Sequence, residues 1–150
     1  MNDPSKTIKE LLEDGWNLSD SQHKNHITFQ YGQTVDPKTR FTQRDIIIEV
    51  YPEGSGAGVQ TRNQARSIYT EIVSIDCRVR FTASAQKSFE NAKDSLHLIV
   101  EEVRRIIKLN RHDASDIFFM PFKGERPIDN VVDKVKYAGR VINVACKFNV

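Results

Sequence analysis

The 150-residue sequence is short of cysteine and tryptophan, and it has no long apolar run. Its two cysteines, Cys77 and Cys146, stand far apart and no Cys-x-x-Cys occurs, which excludes a small scaffold built on disulfides. Both fall on apolar faces of predicted strands, so buried, reduced thiols are expected. No segment approaches the ~20 apolar residues that a bilayer span needs. The opening MNDPSKTIKELLEDGW lacks the apolar stretch of a secretory signal. The expectation is a protein made and used inside a cell, with no membrane partner. Neither sign of charge dominates: 22 Lys and Arg face 20 Asp and Glu, a net +2. That argues against a dedicated nucleic-acid binder, whose basic excess is normally large, and leaves room for a local basic stripe.

Catalytic signatures are also missing. Gly54-x-Gly56-x-Gly58 has the spacing of a phosphate loop, but no Gly-Lys-Ser/Thr follows and the chain runs on into a strand. A flexible connection is the simpler reading. His23 and His26 are spaced for a metal, yet no further ligand stands near them in the sequence. His97 falls inside a helix and His112 just beyond it, where solvated or structural roles suffice. There is no Gly-x-Ser-x-Gly, and no acidic pair stands out as an acid/base couple. The expectation is therefore no catalytic residue, no cofactor, no metal and no enzyme activity.

Apolar residues make up 39% and charged residues 28%, the composition of one globular domain over residues 1–150. Residues 3–15 read as a short helix, with Asp3 as cap, Pro4 at the first position, a stripe of Ile8, Leu11 and Leu12, and Gly15 as stop. Trp16 is expected to pack it onto the body. Ile27, Phe29 and Tyr31 alternate with polar residues as a short strand, and DIIIEVY (45–51) reads as a central one. Residues 53–66, polar and glycine-rich, read as a flexible loop.

The strongest strand signal follows. Tyr69, Val73, Ile75, Cys77, Val79 and Phe81 share one face, and Thr70, Ser74, Asp76, Arg78 and Arg80 share the other, expected to be wet. Residues 84–110 read as the main helix, with Phe89, Ala92, Leu96, Ile99, Val103 and Ile106 on a stripe broadened by Val100 and Ile107. Strands are expected at 115–122 and 140–150, separated by a charged connection at 123–136. The alternating pattern suits antiparallel pairing. The fold class is α+β: a mainly antiparallel sheet, one long helix on one face, and a short N-terminal helix. Arg78 and Arg80, with Arg104, Arg105, Lys108 and Arg111, are candidates for a basic partner surface. Solvated charge interleaved with Glu101 and Glu102 is the simpler reading of them.

The order of elements resembles the tail terminator, or tail-completion, proteins of long-tailed phages and related archaeal viruses. The likeness rests on IKELLEDGW at the start, on YTEIVSIDCRVRFTA followed at once by SFENAKDSLHLIVEEVRRIIK, and on the return through SDIFFMPFKGE to YAGRVINVACKFNV. The resemblance implies a virion assembly protein, made in the host cytoplasm, that forms a homo-oligomeric ring, commonly a hexamer. Such a ring caps the tail tube and meets head-connector proteins. It also implies that Gly54, Gly56, Gly58 and Arg62 serve oligomer contacts, and that Arg78, Arg80, Arg104 and Arg105 face a channel, a partner or passing DNA. A small cellular α+β binding or adaptor domain, dimeric through its sheet, is the alternative.

Overall fold

The computed structural model describes residues 4–18, 27–32, 46–52, 59–63, 66–81, 86–110, 117–127, 130–132 and 135–149. Along them run α1 (Pro4–Gly15), β1 (Ile27–Tyr31), β2 (Ile46–Pro52), β3 (Val59–Asn63), β4 (Arg66–Phe81), α2 (Gln86–Leu109), β5 (Ile117–Pro127), β6 (Asn130–Val132) and β7 (Val135–Asn149). The fold is α+β, with one mainly antiparallel sheet ordered β1-β2-β4-β7-β5. β3 follows β2 along the same edge of β4, and β6 follows β5 along the outer edge of β7. The spine is the β4–β7 ribbon, paired from Ile68 opposite Asn149 to Phe81 opposite Lys136.

Two expectations are corrected. The stretch 53–66 is not all loop, because Val59–Asn63 is a strand paired with Arg66–Thr70. Its sequence, VQTRN, has too little apolar alternation to betray a strand; completing the edge of β4 is what makes it one. The 123–136 stretch is not a connection either. β5 continues to Pro127, β6 follows, and β7 begins at Val135. Charge, Pro121, Pro127 and two register shifts on β5 are the features by which outer strands resist further pairing. Within the expected, mainly antiparallel sheet, β1 and β2 pair in parallel, Ile27 opposite Ile46 through Tyr31 opposite Val50. Fourteen residues separate them, long enough for the crossover that a parallel pair requires. Gly32 continues the pairing by donating its N–H to Val50 O (2.7 Å), at a φ of 112° that disfavours any side chain.

Both helices lie against one face of the sheet. Leu96, Ile99, Val100, Val103, Ile106 and Ile107 of α2 form one core with Ile46, Ile48, Val50, Val73, Ile75, Cys77, Val79, Ile142, Val144 and Cys146. Each such aliphatic side chain contributes roughly 1.5–3 kcal/mol by leaving water. The predicted helical stripe is thus the buried one. Ile8 and Leu12 of α1 join the same core, with Trp16 edge-on to Phe29 at 5.3 Å. α1 ends so close to α2 that a side chain at Gly15 would meet Ile106 at 3.4 Å.

Candidate functional site

Pairing register places Ile47, Glu49 and Tyr51 of β2, Ser74, Asp76 and Arg78 of β4, and Gly139, Val141 and Asn143 of β7 on the face opposite the helices. The sequence suggested that this face is wet. It is not: Glu49 and Asp76 are each 1% exposed, Ser74 2% and Arg78 8%. Arg78 lies two residues from Asp76, one pleat along the same face, so its fork reaches the carboxylate directly. Nε donates to Oδ1 at 2.8 Å and Nη2 to Oδ2 at 3.0 Å. The guanidinium also sits 4.6 Å from the centre of the Tyr137 ring. Burial alone would lower its pKa, but the hydrogen bonds and charge of Asp76 outweigh that and hold it above its ordinary value. One row away, Ser74 Oγ donates to Asn143 Oδ1 at 2.9 Å.

This cluster is suited to locking register. Slipping β4 by one residue would drive Asp76 and Arg78 into the aliphatic core and lift Ile75 and Cys77 out of it. A buried pair of this kind is poor evidence of net stability, yet breaking it is costly. Cys77, on the opposite face, is a thiol that burial pushes well up, with the charge of Asp76 adding to this and Arg140 opposing it. It is held as the unreactive protonated form.

The four arginines expected on one surface are not brought together. Arg78 is buried and Arg80 half-buried on the second face. Arg104 and Arg105 belong to α2, which packs on the first. Arg104 pairs with Glu101 at 2.5 Å along the helix. Arg105 has a structural contact set: Nε donates to Glu102 Oε1 (2.5 Å), and Nη2 to Glu102 Oε2 and to the Gly15 carbonyl (both 2.9 Å). Glu102 Oε2 also accepts the Asn17 N–H at 2.6 Å. Glu102 therefore ties the exit of α1 to α2. Its hydrogen bonds from Arg105 hold the carboxyl below its ordinary pKa, against the effect of burial and with help from Asn17.

Arg62 stands on β3 opposite Ser67. Gly54, Gly56 and Gly58 lie outside the described residues. On either side of them Pro52 pairs with Val73 and Val59 with Thr70. Lys108 is exposed on α2, as is His97; Arg111, His23, His26 and His112 lie outside the described residues. Among the described residues no group of three His, Cys, Asp or Glu side chains is disposed to hold a metal, and no helix is long and apolar enough to cross a membrane. Sequence reasoning missed the Asp76–Arg78 pair and Glu102. The available signals were opposite charges two apart in a strand, and an acid set inside an apolar helical stripe. No family model and no curated protein sequence matches the chain.

Proposed function

We propose that the chain is a structural subunit that closes into a homo-oligomeric ring, in the manner of a tail terminator. The ring caps a tail tube in the virion and presents a surface to head-connector proteins. The observation that supports this most is the disproportion between the spine and its cover. Sixteen residues of β4 span about 50 Å, while the 24 residues of α2 span about 36 Å. On this reading the β3–β4–β7 end of the ribbon, which is longer than α2, is the arm that reaches a neighbour. Contacts between an arm and a different surface of the next copy are heterologous, and they close into a ring when the rotation per subunit divides a full turn.

Light scattering across concentration, with negative-stain imaging, tests the reading. The expected result is a single closed species that persists on dilution and shows a central hole. A monomer or a two-fold dimer at every concentration would overturn it in favour of a small adaptor domain. Deleting 54–58 should leave a folded protein with fewer or no rings. Unchanged ring formation would remove that segment from the contact.

A further inference from the structure

The outward face of α2 carries two of the three large apolar side chains that stand exposed among the described residues. They are Leu98, 47% exposed, and Leu109, 65% exposed. Their separation is just over three helical turns, so the two leucines lie almost in line, about 16 Å apart. Between them on the same side stand Glu101 and Arg105, whose side chains are 51% and 43% exposed. Along the helix the stripe therefore runs apolar, acidic, basic, apolar.

Arg105 is already set in place. Its Nε and Nη2 are taken by Glu102 and the Gly15 carbonyl, which leaves Nη1 without a partner among the described residues. A guanidinium fixed in this way loses little freedom when a further carboxylate meets it. Glu101 uses Oε1 for Arg104 and keeps Oε2 for another donor.

We infer that this stripe is the contact for a second copy of the chain, with the two α2 helices antiparallel across a two-fold axis. Leu98 then meets Leu109 of the other copy, and Glu101 meets Arg105 of the other copy, each pair occurring twice. Reversal is what makes the stripe fit itself, because it sets acid against base and leucine against leucine. A parallel arrangement would put Glu101 on Glu101 and Arg105 on Arg105, which like-charge repulsion disfavours. Covering the leucines drives the contact, and the charges set its direction. One helix face per copy is a small interface, so the dimer is weak and forms with rising concentration. The inference goes beyond the ring reading and does not need it. By itself the dyad gives a dimer; together with a closed ring it joins two rings.

The test is sedimentation of the full-length protein across concentration. E101R sets arginine against arginine across the dyad, and R105E sets acid against acid. Each variant alone should weaken self-association at least about tenfold. An equimolar mixture of the two should restore it, since every cross-copy pair is then opposite in sign. R105E also gives up the bonds to Glu102 and Gly15, so L98Q/L109Q serves as a variant that removes only exposed apolar surface. It should weaken the dimer and leave the urea unfolding curve unchanged. K6Q, an exposed change on α1, should associate as the parent does.

A parent protein still monomeric at about 1 mM would overturn the inference. So would a mixture that associates no better than its components, or an L98Q/L109Q variant that associates like the parent. On the same samples, a dimer without rings sinks the ring and keeps the dyad. Rings whose mass and concentration dependence no α2 variant alters do the reverse.

Discussion

The two faces of the central sheet are both buried along the middle of β4 and are built on opposite principles. On the helix side Ile48, Ile75, Ile142 and Val144 meet α2 with no polar atom to satisfy. Such a surface depends on volume and tolerates exchange among aliphatic residues of similar size. On the far side Glu49, Asp76, Arg78 and Ser74 are buried just as deeply, and Arg78 is held by two directed hydrogen bonds and the Tyr137 ring. That surface depends on complementarity, where one missing partner leaves a charge stranded. Burial alone does not reveal how a position will respond to change.

The sharpest way to break the comparison is at Asp76. Replacing it with Ala removes both hydrogen bonds that hold the buried Arg78 and should cost about 3–5 kcal/mol, whereas pairing Asp76→Leu with Arg78→Met should recover most of that loss. Urea denaturation measures both, and an additive double variant would show that the pair is not coupled. On the aliphatic face Ile75→Ala should cost about 2–5 kcal/mol, but Ile48→Val only about 0.5–1.5. If Ile48→Val rivalled Asp76→Ala, the distinction between the faces would fail.

Glu102 lies at the margin of both regimes, and its replacement by Gln should cost about 1–2 kcal/mol. Because its pKa in the folded protein is depressed below the ordinary 4.5, its contribution is complete above that value and is lost as pH falls further. Acid titration of the parent protein, followed by Trp16 fluorescence, should show α1 loosening in that range, with the step missing in Glu102→Gln. The smallest effect is expected at Arg104, whose pairing with Glu101 is exposed. Arg104→Ala should stay within about 0.5 kcal/mol in the same denaturation series.

What could be read in the chain follows the same division. The α2 stripe and the Val73–Val79 alternation were legible because apolar burial writes a period into the sequence. The far face was misread because charge was taken as a mark of water, while Asp76 and Arg78 satisfy each other within one strand. β3 was missed for a related reason. A strand that serves by its backbone, completing the edge of β4, needs no particular side chains, so VQTRN carries no periodic signal. The KGERP end of β5 was hidden likewise, since an outer strand benefits from the charge and proline that make it look like a loop. The separation of Arg78 and Arg80 from Arg104 and Arg105 depends on which face α2 covers, and that is a fact of topology no local pattern contains.

The interruption between β2 and β3 has a practical consequence. Each flank is anchored by its own ladder to β4, so residues may be added or removed between Pro52 and Val59 without moving a single strand pair on either side. Doubling the length of such a segment costs only about 0.6 kcal/mol in closure entropy. A peptide tag or a fluorophore-bearing cysteine placed there should leave both flanking ladders as they are. The same tolerance would let related chains diverge at this point more freely than anywhere else along that edge.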